Sequence, residues 1–351
     1  MRSLTLPSGR ADTTGVKRYG LGILIVLASA CGTTTTAPVA PSPTPPLPAS
    51  VRVQVSEGGA LVIRNVPLDD YVRATAISEF APASGELDAV ERMLELQSVI
   101  SRTYAVSHLG RHAREGFDLC STTHCQLYDP RRLQTSRWAG ASRAAVERTT
   151  GQILLFDRQP VQALFHADCG GYTSTSAAVW GGIDLPYLVA RPDDGVASPA
   201  HADWRYDVSL DALSAALAAD PRTRVDGSFD GIDVLSRDDA GRAARVAVRS
   251  RVDRGPSGIS SLDVRGDDLR QVLSRAFGAR TIRSTRFEIQ RTGALFTFTG
   301  RGFGHGVGLC QAGAFARIRA GTSPVDVLRY YYPGVVLTQG SGIGVQGIGA
   351  R

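Results

Sequence analysis

The chain has 351 residues, 39 lysines and arginines against 33 acids, a net charge of +6, and 43% hydrophobic residues. That length supports a large core and two lobes. The absence of a long basic run excludes a nucleic-acid binder, and a single apolar run near the N-terminus excludes a multi-span membrane protein.

Residues 1–30 read as an export signal. Lys17 and Arg18 form its basic end, 21–27 its apolar run, and Ala28, Ser29 and Ala30 its small residues before Cys31. The run is too short for a comfortable membrane span. Cys31 stands where a lipoprotein carries its acylated cysteine, so the expectation is a membrane-anchored lipoprotein of the cell envelope, periplasmic or outer-membrane. Residues 31–50, with Pro38, Pro41, Pro43, Pro45, Pro46 and Pro48, read as an extended tether. Lys17 is the only lysine, so every cation of the body is an arginine.

Residues 51–63 alternate as strands. Pro67 and the acids Asp69 and Asp70 open a helix that ends near Glu79, before Pro82. Apolar positions from Leu87 to Val106 recur at helical spacing and stop at Gly110. A short helix is expected over 142–150, then a hairpin of 153–156 with 161–165 around 157–160. Three short strands at 231–237, 244–249 and 260–264 and a helix at 267–277 lack the glycine, histidine and cysteine of the rest, which marks 205–285 as an inserted β-rich subdomain. Strands at 287–290 and 295–298 and helices at 311–320 and 324–332 follow, with a tail at 336–351. The mixture predicts an α+β fold, two-lobed around a substrate cleft.

Four segments carry residues a packed core does not call for. These are Asn65–Val72 leading to Ser78-Glu79-Phe80, Cys120–Gln126, Phe165–Thr173, and Gly302–Gln311. Their glycines suggest backbone approaching a ligand, and their polar groups a converging site. Glu79 follows Ala76-Ile77 and precedes Phe80, a setting that raises a carboxyl pKa toward general-acid use. Asp118 and Asp168 are further carboxylates within motifs, with turn roles expected. Cys120, Cys125, Cys169 and Cys310 remain after Cys31, and an even count in an exported chain suggests disulfides. Cys120 and Cys125, with His112 and His124, also have the ligand types of a zinc site. Disulfide, zinc and free thiols all stand at this point.

Val66–Val72 through Phe80, the helix ending in Gln97–Tyr104, Phe165–Thr173, Gly304–Gly313 and the closing Tyr330–Gly334 resemble, in order, the SpoIID/LytB family. The resemblance spans about 51–333 and implies a 51–335 catalytic domain. It implies a lytic transglycosylase that cleaves the MurNAc-GlcNAc linkage of peptidoglycan strands, stripped of stem peptides or not, leaving 1,6-anhydro-MurNAc ends. Glu79 falls on the family's catalytic glutamate, and no cofactor is needed for catalysis. Arg102, Tyr172 and His305 fall on expected substrate-binding positions. Other members modulate a separate cell-wall amidase, which makes a non-catalytic peptidoglycan-binding partner of an amidase the alternative. One branch binds zinc, which here would be structural. The two glycine-rich motifs face each other in the family, which implies a Cys169–Cys310 disulfide.

Overall fold

Pro67 closes a hairpin and opens a helix. Strands Ser50–Glu57 and Ala60–Pro67 pair antiparallel, from Ser50 opposite Pro67 to Glu57 opposite Ala60. Gly58 and Gly59 turn them at φ 57° and 86°, the left-handed pair a two-residue hairpin asks for. Pro67, at φ −51°, pre-sets the first turn of helix Leu68–Glu79 (α1), and Asp69 and Asp70 complement its positive end. Phe80 turns extended and stops α1, two residues before Pro82.

Helix Leu87–Ser107 (α2) is the centre of the body. Val90, Met93, Leu94, Leu96 and Ile100 have no exposed surface. The helix is enclosed by α1, helix Ala139–Arg148, strand Gln152–Phe156 and helix Gln311–Arg319. Burial on every side explains why polar residues on α2 are buried too. Ser98 and Thr103 return their hydroxyls to the carbonyls of Leu94 and Val99, which removes the cost of hiding them. Truncating Leu94 here would cost about 2–5 kcal/mol.

The computed structural model describes residues 46–193, 202–252 and 258–342. The export signal, Cys31 and most of the expected tether lie outside the described residues. The tether ends before 50, because Leu47 is buried in the main core and Pro46–Leu47 pairs with Ser341–Gly342. The expected tail also begins inside the body, where Val336–Gln339 pairs antiparallel with Gln152–Phe156. The 153–165 hairpin is shorter than expected. Leu155 and Phe156 pair with Pro160 and Gln159, the Val161 N–H still reaches the Leu154 carbonyl at 3.1 Å, and Phe165–His166 joins Leu309–Cys310 in a parallel pair instead. Among the described residues no helix is long and apolar enough to cross a membrane. The many helices and small sheets make an α+β fold.

The inserted region builds its own core. Strands Ser228–Arg237, Ala243–Arg251 and Ile259–Arg265 form one antiparallel sheet, and Trp204–Ser209, Leu295–Gly300 and Phe287–Thr292 another. Trp204, Val246, Phe287, Phe296 and Phe298 of these strands pack together with Leu213 and Leu269 from helices Leu210–Ala218 and Gly266–Phe277. This core runs past the expected boundary at 285, because Trp204–Ser209 pairs along the whole of Leu295–Gly300. Arginines bolt the region to the Phe165–Thr173 segment: Arg242 donates to the Cys169 carbonyl at 2.6 Å and Arg286 to that of Gly170.

Candidate active site

Glu79 is the last residue of α1, half-buried, with its backbone at the negative end of the helix. Its Oε1 accepts the Leu127 N–H at 2.6 Å, and its carbonyl accepts Gln311 Nε2 at 3.3 Å. Burial raises the carboxyl to about 7, while the Leu127 N–H works in the opposite direction by stabilising the anion. The helix terminus adds to the upward pressure, since a negative dipole end disfavours a carboxylate. A carboxyl so placed holds a proton near neutrality and has a donor ready for the charge it leaves behind.

The segment that supplies Leu127 is pressed along α1. Tyr71 donates to Gln126 Oε1 at 2.9 Å and stacks on Tyr128, the Asp129 N–H reaches Ser78 Oγ at 3.1 Å, and Arg132 donates to the Ile77 carbonyl at 2.6 Å. The other end of this segment carries a four-residue cluster. His112, Cys120, His124 and Cys125 bring one ligand atom each to within 4.8 Å of one another. Cys120 Sγ lies 3.6 Å from His124 Nδ1, and Cys125 Sγ 3.4 Å from His112 Nε2 and 3.8 Å from His124 Nδ1. Tetrahedral zinc with Zn–S near 2.3 Å and Zn–N near 2.05 Å sets sulfur and nitrogen about 3.6 Å apart, so the donor set fits zinc. Glu115 Oε1, 2.9 Å from His112 Nδ1, orients that ring as outer-shell carboxylates do. A hydrogen bond between the two sulfurs holds Cys120 well below the ordinary thiol range and raises Cys125. Both cysteines are free thiols. In this structure the two sulfurs are unbonded, each within reach of an imidazole.

The two glycine-rich segments do converge. Asp168 and Phe303 exchange backbone hydrogen bonds at 3.0 and 2.8 Å, and Phe165–His166 runs beside Leu309–Cys310. Their glycines approach protein, not open space. A Cβ on Gly308 would lie 2.1 Å from the Leu164 carbonyl, and one on Gly306 would strike the buried guanidinium of Arg242 at 2.3 Å. The expectation that these glycines make room for a sugar ring is therefore corrected for these two positions. Cys169 and Cys310 are free thiols as well, gathered with His166 within 4.8 Å. The expected disulfide is not formed, since the Cys169 S–H points to Asp193 Oδ2 at 3.4 Å.

Arg102 is fully buried and donates to the carbonyls of Thr149 and Gln152 and to Asp69. With no exposed surface it binds no glycan in this conformation, and it ties α2 to the start of α1 and to Gln152–Phe156. Tyr172 is half-buried and bridges Pro192 across a short antiparallel contact. His305 lies between the rings of His166 and Trp180, and its Nδ1 accepts the Val307 N–H at 3.0 Å. Burial lowers it to about 4, so its ring is neutral. No hydrogen bond or ion pair joins Glu79 to His305 or Arg102; its partner from the Gly302–Gln311 motif is Gln311, whose Nε2 also donates to Gln97 Oε1 at 3.1 Å. Asp118 is held low by Arg52 and caps the Gly110 N–H, and Asp168 accepts the Gly170 N–H at 2.7 Å. Gln311 stood within a quoted motif and was legible as a polar residue. Leu127 acts through its main chain and left no sequence signal.

A family profile described as "Stage II sporulation protein", SpoIID, matches residues 56–156, and one described as a domain of unknown function, DUF8618, matches 198–308. The chain is 29% identical over 297 residues to the amidase enhancer of Bacillus subtilis, covering 73% of this chain and 39% of that protein. It is 28% identical over 290 residues to stage II sporulation protein D of the same organism, covering 79% of this chain and 76% of the relative. The corresponding Bacillus amyloliquefaciens protein is 28% identical over 291 residues. The chain thus spans well under half the length of the amidase enhancer and about three quarters of the sporulation proteins.

Proposed function

We propose that this chain, similar over most of its length to stage II sporulation protein D, is a peptidoglycan lytic transglycosylase of the SpoIID/LytB type with Glu79 as its single acid and base. The observation that carries this reading is a carboxyl raised to about 7 at a helix C-terminus, facing a main-chain donor. Protonated Glu79 gives its proton to the glycosidic oxygen as the C1–O4 bond breaks. The Leu127 N–H stabilises the carboxylate left behind. That carboxylate then takes the proton of the muramyl 6-hydroxyl as the C1–O6 bond forms, which closes the 1,6-anhydro ring without consuming water. One carboxyl suffices because the nucleophile belongs to the substrate, unlike the paired carboxylates of hydrolases. Tyr172 and His305 are assigned to the glycan-binding wall.

His112, Cys120, His124 and Cys125 would hold a structural zinc, since four protein ligands leave no position for substrate. Bound there, the metal would cross-link the loop whose far end presents Leu127 to Glu79. Export and anchoring through Cys31 complete the proposal and place the body at the cell envelope.

The deciding experiment is mass spectrometry of intact and denuded glycan strands after incubation with the mature body. Products ending in 1,6-anhydro-MurNAc support the reading, and reducing ends carrying solvent oxygen overturn it in favour of hydrolysis. The similarity to the amidase enhancer favours one rival, a non-catalytic activator of an amidase. That rival predicts no glycan products at all and stimulation of an added amidase by the Glu79→Gln variant.

A further inference from the structure

The second cysteine cluster lies apart from the first and is assembled from distant parts of the chain. His166 and Cys169 come from one glycine-rich segment and Cys310 from the other, with 4%, 2% and 1% of their surface exposed. One ligand atom from each lies within 4.8 Å of the other two. His166 Nδ1 is hydrogen-bonded to the Val307 carbonyl at 3.2 Å, which orients the ring, while its buried Nε2 has no hydrogen-bond partner. A neutral imidazole with one nitrogen held by a carbonyl and the other unpaired in a dry interior has the arrangement of a metal ligand, and is costly otherwise.

The sulfurs are prepared in the same sense. Cys310 Sγ accepts the N–H groups of Cys169 at 3.2 Å and Gly313 at 3.4 Å, the latter in the first turn of helix Gln311–Arg319, and Cys169 Sγ accepts the Gly171 N–H at 3.3 Å. Backbone N–H donors to sulfur stabilise thiolates at metal centres. The buried guanidinium of Arg242, on the Cys169 carbonyl, adds positive charge beside them. Asp193, buried and held by Tyr331 at 2.8 Å and Arg317 at 3.1 Å, takes the Cys169 proton direction and so offers an exit for it.

We propose that His166, Cys169 and Cys310 form a second metal site, for a thiophilic cation of the zinc or Cu(I) class, closed to solvent and separate from the His112–Cys125 cluster. Soft thiolates with one imidazole select such ions over magnesium or calcium. The cation pins the two glycine-rich segments together immediately before Gln311, the residue that holds the Glu79 carbonyl. Binding displaces the two thiol protons and needs no oxidant.

The test is metal analysis of the mature chain purified after separate growth with added zinc and added copper. Two thiophilic equivalents per chain are expected in the wild type, one in Cys120→Ser/Cys125→Ser and one in Cys169→Ser/Cys310→Ser. His166→Gln, which keeps both sulfurs, should weaken retention of the second equivalent against a chelator at least tenfold, and growth with zinc or copper distinguishes the ion. A single equivalent in the wild type that is unaffected by Cys169→Ser/Cys310→Ser overturns the proposal. So does a chain two mass units light whose Cys169 and Cys310 resist alkylation until reduced, since a disulfide occupies the same sulfurs. If Cys120→Ser/Cys125→Ser fails to fold, the wild-type count and the Cys169→Ser/Cys310→Ser count still decide. The metal count stands whether or not the body cleaves glycan.

Discussion

The His112–Cys125 cluster and the His166–Cys169–Cys310 cluster use the same residue types, and each is followed in the chain by a residue that contacts the same glutamate. The first lies within fourteen consecutive residues, includes the exposed His124, and ends in a segment whose Leu127 N–H holds Glu79 Oε1. The second joins residues 141 positions apart, is wholly buried, and is followed by Gln311, which holds the Glu79 carbonyl. The first arm touches the carboxylate itself and the second only its backbone. The difference teaches that the local arm tunes the proton while the distant arm fixes the position of the helix end.

Removing the shared target sets the scale. Glu79→Gln is expected to lower release of 1,6-anhydro products by at least about 10²-fold, read by mass spectrometry, because general acid catalysis at this position has no substitute. The same variant sharpens the pH argument. In the folded chain Glu79 titrates near 7, against 4.5 for the free side chain. Between those values the folded state binds more protons than the unfolded one, so wild-type stability falls as pH rises from about 4.5 to about 7, by up to about 3 kcal/mol. Glu79→Gln should lack that fall, and denaturant titrations at pH 5 and pH 8 would show it. Wild-type activity should decline above about pH 7 as the acid loses its proton.

Breaking the local arm comes next. Cys120→Ser with Cys125→Ser should cost about tenfold in rate and shift the alkaline limb of the pH–rate profile upward, since loosening the Leu127 N–H removes the contact that holds Glu79 down. An unshifted limb would detach this arm from the proton. Arg102→Met, outside both arms, should destabilise the body by about 2–3 kcal/mol by removing the buried guanidinium's hydrogen bonds to the Thr149 and Gln152 carbonyls. Half-exposed Asp69 adds little, because solvent screens it. Product identity should not change. Gln311→Ala should have the smallest effect, about 1 kcal/mol in stability and a few-fold in rate with no shift of the pH profile. A shift as large as that of the cysteine variant would erase the distinction between the arms.

The sequence alone determined what is local. Pro67, the two acids after it and Pro82 bounded α1 and put Glu79 at its end, because proline geometry and helix-end electrostatics act within one turn. The periodicity of α2 was legible for the same reason, and so were the ligand types of His112, Cys120, His124 and Cys125, which lie on one loop. Tertiary structure decided where distant pieces meet. Phe165–His166 left its expected hairpin to pair with Leu309–Cys310, since backbone hydrogen bonds carry no sequence signature of their partner. Arg102 turned inward to Asp69 and two carbonyls, and Glu79 found a main-chain N–H at Leu127 and an amide at Gln311. Such contacts depend on the packing of whole helices, which no spacing of residues along the chain records.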